Sequence, residues 1–345
     1  MPVGYVCDDI YQEHDTGGHV EGKDRLTAIN TVLNKLQIKE KLFTIAPRPA
    51  TIDQIATVHD REYIRELRSE VESGGGWLDP DTYASPGSFN AALYAAGGLM
   101  NAVDAAMNKK VSGAFALVRP PGHHATSQHQ MGFCLFNNVA IAAKFALGNY
   151  DIKHVLIIDF DVHHGNGTQD AFYTDSQVMY FSIHEYPWYP FTGDANETGA
   201  RAGEGYNVNV PLGASVGDNE YVTVFQKILV PVARRFEPDL VLVSAGYDSH
   251  WQDTISNMNV TTTGFARMAK IIKSISDNYC RDRLVFTLEG GYNRAALAYS
   301  VAATFELMMG NNEILDPLGS PPIAYSPAEF DGFIKMIRNI HKIKQ

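Results

Sequence analysis

Residues 155–170, VLIIDFDVHHGNGTQD, run from an apolar strand pattern directly into ionisable groups. Val155 to Ile158 are uninterrupted, as in a strand covered on both faces of a parallel sheet. Asp159, Asp161, His163 and His164 follow, and then the turn Gly165-Asn166-Gly167. Side chains two apart on an extended chain share a face, so Asp159, Asp161 and His163 point the same way. Ionisable groups rarely cluster beside a buried strand without a partner, so carboxylates and an imidazole converging there form a metal-site pattern. With Asp161, His163 and Asp248 as ligands, one coordination position stays open for water, the catalytic rather than the structural arrangement. Two carboxylates make such a site harder than a His-rich one, so Fe2+, Co2+ or Mn2+ are alternatives to Zn2+. A metal there would activate water and polarise a carbonyl. The tandem His123-His124 offers the acid and base that amide hydrolysis requires. Tyr292, on the turn Gly290-Gly291, offers a donor to an oxyanion.

Such groups need elements to bring them together. Apolar spacing predicts helices over 23–36, 52–68, 90–108, 138–147, 219–235, 263–278 and 294–309. Between them, strands are expected over 113–118, 154–160, 178–183, 240–244 and 284–288. Alternation of this kind implies an α/β domain, a mostly parallel multi-stranded sheet with helices on both faces. Each of the five strands runs out into polar residues: Arg119 to His124, the Asp/His cluster, Ser182 to His184, Gly246-Tyr247-Asp248 and Glu289 to Asn293. In parallel α/β sheets, sites form outside the carboxyl ends of the strands, so one rim assembled from most of the chain is expected. Residues 74–83 form a breaker-rich loop of the kind that carries function. A surface helix is expected over 327–343, and no repeat or linker divides residues 1–345.

The bulk composition narrows the class. The 345 residues are 45% apolar and 19% charged, proportions of a soluble globular protein. No apolar run approaches the roughly 18 residues needed to cross a bilayer, and the N-terminus lacks a basic-then-apolar leader. Cys7, Cys134 and Cys280 have no CxxC spacing, so neither disulfides nor a thiolate zinc site is expected, and a cytoplasmic setting is. A formal net charge of −11 argues against a nucleic-acid partner, which would call for clustered Lys and Arg, and is compatible with cationic substrates.

Taken together, RPPGHHA, GFCLFNN, DFDVHHGNGTQ, GEGYNVNVPL, VSAGYDSH and LEGGYN resemble the zinc-dependent deacetylases of the arginase–deacetylase superfamily. These include the histone deacetylases, the bacterial histone-deacetylase-like amidohydrolases and the acetylpolyamine amidohydrolases. The motifs keep the family order from about residue 17 to residue 302. Asn166, where class I enzymes carry Asp, places the resemblance nearer the class II and bacterial branch. The resemblance implies Asp161, His163 and Asp248 as zinc ligands, His124 as general base and acid beside His123, Asn166 orienting His124, and Tyr292 as catalytic tyrosine. It moves Asp159 out of the zinc sphere, to steady His123 and to bind a structural potassium ion with Ser182 and the carbonyls of His163 and Ile183. A second monovalent site would use carbonyls near Phe172, Asp175, Val178 and Tyr206. Gly132, Phe133 and Tyr189 would wall an acyl-amine channel, with Ile255 at its edge and Asp81 a rim carboxylate. The N-terminal motif departs from the family's HPE-x-P-x-R-L: His19-Val20-Glu21-Gly22-Lys23-Asp24-Arg25-Leu26 lacks both prolines but keeps the internal arginine, Arg25.

Other polar residues have plainer roles. His14, His59, His129, His154, His250 and His341 fit surface or packing positions, His164 fits a supporting one, and His184 fits either. The function implied is a metal-dependent amidohydrolase acting on acetylated amines, either N-acetylpolyamines or N-acetyl-lysine, with a homo-oligomer left open. An arginase-type ureohydrolase would need a second metal and would leave Tyr292 unexplained. A non-catalytic acyl-amine-binding protein would have lost a ligand or the tyrosine, and neither is lost.

Overall fold

The apolar runs of the chain become strands because both of their faces are covered. In the computed structural model, which describes residues 1–322 and 330–343, Val155, Leu156, Ile157 and Ile158 have no exposed surface. Burial of each such side chain is worth about 1.5–3 kcal/mol, so a solvated face would be costly here. In chain order the strands are β1 (Gly4–Val6), β2 (Phe43–Thr44), β3 (Gly76–Trp77), β4 (Tyr83–Ala84), β5 (Ala114–Ala116), β6 (Val155–Asp159), β7 (Val178–Glu185), β8 (Asn207–Leu212), β9 (Leu240–Ala245) and β10 (Leu284–Leu288). Eight of them form one sheet, ordered β2-β1-β5-β10-β9-β6-β7-β8, in which every pairing is parallel. Two groups of helices flank it. Asp24–Lys35 and Thr262–Ile275 pack against Arg294–Met308, while Ser88–Met107 packs against Asn138–Asn149. The expected α/β architecture is therefore the one observed, as a single domain.

Register places the chemistry. Asp159 pairs with Ser182 on β7 and with Ser244 on β9, and Ser244 pairs with Thr287 on β10. This row marks the carboxyl edge of the central strands. Asp161, Asp248 and Gly290 lie just beyond it on adjacent loops.

Several elements differ from the sequence pattern, each for a local reason. The helix expected over 52–68 is two, Ile52–Ile55 and Arg61–Glu72. Between them the chain turns so that His59 Nε2 accepts the Asn137 N–H at 2.8 Å. The helix over 219–235 contains a π turn, Phe225–Leu229, just before Pro231, which has no N–H and would crowd a regular turn. A second π turn, Ser276–Cys280, ends the helix that begins at Thr262. The loop over 74–83 is pinned by the antiparallel pair β3–β4. β1 and β2 are too short to show a period, and the Asn-containing NVNVPL of β8 hides an edge strand. At the C-terminus the helix is Phe330–Ile340; residues 327–329 lie outside the described residues. Ile334 and Ile337 are buried, so this helix is a docked amphipathic element rather than only a surface one.

Candidate active site

The loop after β6 turns Asp161 and His163 inward, and the loop after β9 brings Asp248 to meet them. One ligand atom from each lies within 4.8 Å of the others, and all three residues are buried. His163 Nδ1 is 2.9 Å from Asp161 Oδ1 and 3.3 Å from Asp248 Oδ2. Backbone N–H groups hold the outer oxygens: Val162 donates to Asp248 Oδ1 at 2.9 Å, and Gly290 donates to Asp161 Oδ2 at 2.8 Å. Residue 290 must lack a side chain, because a Cβ there would stand 2.0 Å from Asp248 Oδ2.

These residues fit a divalent metal. Asp248 Oδ2 is buried and meets only the His163 ring, at 3.3 Å, which is costly unless a cation meets it too. The electrostatics of the protein groups alone say the same. Burial, and then the neighbouring Asp161, push the Asp248 carboxyl up to about 6. Burial opposes charge on His163, but hydrogen bonds to Asp161 and Asp248 outweigh it and raise the ring to about 10. Two carboxylates thus converge on a proton where a cation belongs, and His₁Asp₂ is a three-ligand set with room for water.

The loop after β5 supplies His123 and His124, and their surroundings separate them. His123 Nδ1 is 3.0 Å from Asp159 Oδ2, and the buried Asp159 also accepts the Tyr180 hydroxyl at 3.0 Å. Burial works against charge on His123, but the Asp159 and Asp161 carboxylates prevail and raise it to about 10. His124 is lowered well below its ordinary value, by burial first and then by His123 and His163. Its Nδ1 lies 2.8 Å from Asn166 Oδ1, while Asn166 Nδ2 faces the His124 carbonyl and the Met131 sulfur. That orientation makes the amide oxygen the acceptor, so Nδ1 of His124 carries the hydrogen and Nε2 is left with its lone pair. Adjacent imidazoles are thereby set to opposite states, the arrangement expected of an acid–base pair.

One cavity of about 410 Å³ collects these groups with the residues expected to form the channel. His123, His124, His163 and Tyr292 line it together with Gly132, Phe133, Tyr189, Ile255 and Asp81. Pro121, Pro187, Trp188, Phe191 and Gly290 complete the lining. Gly132 has φ +56°, and a Cβ there would be 2.3 Å from the His124 ring. Phe133 follows at φ +69°, its N–H held by Thr82 Oγ1 at 3.2 Å. The Tyr292 ring lies edge-on to Phe133, with centroids 5.8 Å apart, and under the Arg25 guanidinium at 5.0 Å. A larger cavity, about 570 Å³ and lined by His154, Arg235 and His341 among others, shares no residue with this one.

The residues expected to bind monovalent cations fall into two places. Asp159, Ser182 and Ile183 lie on β6 and β7 beneath the triad, where Ser182 Oγ meets His184 Nδ1 at 2.9 Å. Phe172, Asp175 and Val178 sit between the short helix Asn166–Phe172 and the start of β7, and the Tyr206 carbonyl accepts the Tyr180 N–H at 2.9 Å. His164 bonds Thr192 Oγ1 and Gln169 Oε1, a supporting position.

Sequence reasoning named Arg25 as an internal arginine but missed the charge network around it behind the site. Glu289 Oε2 accepts the N–H groups of Gly122 and His123 at 2.7 and 3.3 Å, and Oε1 accepts the Ser244 hydroxyl at 3.0 Å. Burial raises this carboxyl to about 7. Glu21 bridges Arg25 and Arg119, and Arg25 donates onward to the carbonyls of Glu289 and Gly291 at 2.5 and 2.8 Å. The only signal available was Glu21 and Arg25 four apart in the loop that lost its prolines.

Comparison with known proteins agrees with this geometry. The histone deacetylase domain family matches residues 19–308. "Histone deacetylase 14, chloroplastic" of Arabidopsis thaliana is 40% identical over 329 residues, spanning 90% of this chain and 78% of that protein. A "Probable deacetylase" of Archaeoglobus fulgidus is 36% identical over 351 residues, covering 100% of this chain and 97% of its own. The crystal structure of the HDA15 HD domain superposes with a TM-score of 0.90 at 34% identity, covering 99% of this chain and 94% of that one. Sheet order, buried Asp/His/Asp group and sequence thus converge, and the chain belongs to the histone deacetylase family, and with it to the hydrolytic deacetylases.

Proposed function

We propose that the protein is a zinc-dependent amidohydrolase that removes the acetyl group from an acetylated primary amine, the unit that acetyl-lysine and acetylpolyamines share. The observation that carries this reading is the buried Asp161, His163 and Asp248 group in contact with a channel also lined by His124 and Tyr292. A zinc ion held by those three residues would supply activated water and polarise the acyl carbonyl.

The chain's own groups do the rest. His124, kept neutral with Nδ1–H turned to Asn166, takes a proton at Nε2 from the attacking water and returns it to the departing amine. His123, paired with Asp159, offsets the negative charge that grows on the acyl oxygen. Tyr292 donates its hydroxyl to that oxygen. Phe133 and Tyr189, with Gly132 between Phe133 and His124, take the alkyl stem and exclude water; Ile255 lies at the edge. Asp81 receives the cationic or amide portion beyond the stem. Asp159 and Ser182, with the carbonyls of His163 and Ile183, are assigned to a potassium ion. Carbonyls near Phe172, Asp175, Val178 and Tyr206 are assigned to a second monovalent ion. Among the described residues a single group of His, Cys, Asp and Glu converges as a metal site, which favours this reading over a two-metal ureohydrolase.

The test is acetate release by the zinc-loaded protein from an acetyl-lysine peptide and acetylated polyamines in parallel, with Tyr292→Phe as control. Release that falls about a hundredfold or more in the control is expected, by analogy with the loss of one oxyanion donor, and the ratio of rates names the substrate. No release from either substrate with zinc bound would sink the proposal.

A further inference from the structure

Asp253 is a buried carboxylate that none of the steps above uses. It is 6% exposed and lies five residues beyond Asp248. Its Oδ2 accepts two backbone N–H groups at once, from Tyr292 at 2.6 Å and from Asn293 at 2.8 Å. Its Oδ1 accepts the N–H of Ile255 at 3.2 Å. A parallel strut joins the same two segments, because Asn293 Nδ2 donates to the Gln252 carbonyl at 2.9 Å. Asn293 Oδ1 meanwhile caps the helix Arg294–Met308. Upstream, Gly291 at φ +116° gives the backbone little stiffness of its own. The approach angle of Tyr292 is therefore set from outside the turn, and Asp253 is the side chain that meets its amide.

We propose that Asp253 is a positioning residue for the hydrolysis: its carboxylate fixes the backbone of Tyr292, and so the place of the phenol hydroxyl in the channel. This rests on the role assigned to Tyr292 above. The acceptor pattern gives the proposal its edge. All three partners are N–H donors, and an ionised carboxylate accepts on both oxygens. Asparagine has the same shape but must turn an NH₂ group toward either Ile255 or the Tyr292–Asn293 pair, donor against donor. A displacement of about 1 Å at such a group can cost about a hundredfold in rate.

The experiment compares Asp253→Asn and Tyr292→Phe, singly and combined, in the full zinc-loaded chain with an acetyl-lysine peptide. Asp253→Asn is expected to lower kcat by about ten- to a hundredfold, with KM within about twofold and zinc content unchanged. In the Tyr292→Phe background the same substitution should cost less than about threefold, because the hydroxyl it positions is gone. Equal losses in both backgrounds, or a loss confined to KM, overturn the proposal. Asp253→Ala removes the acceptors without opposing donors and is the second variant, read the same way. Hydrogen exchange supplies a readout independent of turnover. Residues 289–293 should exchange faster in Asp253→Asn while the Arg294–Met308 helix keeps its protection. Unchanged exchange in that turn overturns the positioning role, whereas a wild-type chain that releases no acetate overturns the deacetylase reading instead.

Discussion

Glu21→Gln is the most informative single perturbation of the framework. The Glu21 carboxylate has no exposed surface and lies between two guanidinium groups that are themselves 0–1% exposed. Oε1 accepts Arg119 Nε at 2.6 Å and Arg25 Nη1 at 3.0 Å; Oε2 accepts Arg119 Nη2 at 2.7 Å and lies 3.3 Å from His14 Nε2. Glutamine keeps the volume but removes the charge and turns an NH₂ toward a cation. Breaking a buried pair by removing one partner costs about 3–5 kcal/mol. With 345 residues at about 2.1 cal/mol/K each, the unfolding entropy is about 0.7 kcal/mol/K, so the melting temperature should fall by about 4–7 °C. The pH dependence has a definite sign. Burial alone would raise the Glu21 carboxyl, but Arg119 and then His14 hold it well below its ordinary value. A carboxyl depressed in the folded state contributes fully above its unfolded value, about 4.3, and loses that contribution as pH falls toward the folded one. The gap between wild type and Glu21→Gln should therefore stay constant from pH 7 to about 4.3 and close only below it. Calorimetry across that range is the assay. A gap under about 1 °C at pH 7, or one already closed by pH 6, would show that Glu21 is not the charge that holds Arg25 and Arg119 together.

Three further outcomes follow from the site. Chelation should lower the melting temperature and zinc should restore it, by about 4 kcal/mol of stability at a thousandfold excess over Kd; Asp248→Asn should abolish that response in a thermal-shift titration. His124→Ala should lower kcat by about a hundred- to ten-thousandfold at unchanged zinc content, read by acetate release, with Asn166→Ala falling between it and wild type. Gly132→Ala forces a Cβ against the His124 imidazole at a backbone angle that disfavours it; about 1–3 kcal/mol of stability should go in urea titration, together with most of the activity.

The parts of this design that were legible in sequence are those carried by local pattern. Five apolar runs ending in polar residues announced a parallel sheet with one chemical rim; strand alternation put Asp159, Asp161 and His163 on one face, and only the resemblance separated Asp161 and His163 from Asp159. Of the channel walls, Phe133 and Ile255 were legible only through resemblance, because they are ordinary apolar residues in any window. Of the buried charges only Arg25 was legible, as the family's internal arginine; the groups it meets were not. Arg25 meets Glu289 and Gly291 across 264 and 266 residues, and Glu21 meets Arg119 across 98. No periodicity reports a contact made by folding rather than by spacing. Strand pattern alone also grouped Asp159 with Asp161 and His163; in the structure its Oδ2 turns to His123 and Tyr180.

The strand order has a consequence for how the chain comes into being. β10 lies between β5 and β9, yet among the described residues it is the last strand to be synthesised. Until residue 288 is made, the sheet can exist only as two separate pieces, β2-β1-β5 and β9-β6-β7-β8, each ending in an unpaired apolar edge. Asp161, His163 and Asp248 belong to the second piece, His123 and His124 follow the last strand of the first, and Tyr292 arrives only with the joining strand. A nascent chain thus passes through a stage in which both open edges can recruit other chains, and insertion of β10 closes both of them and brings Tyr292 to the channel.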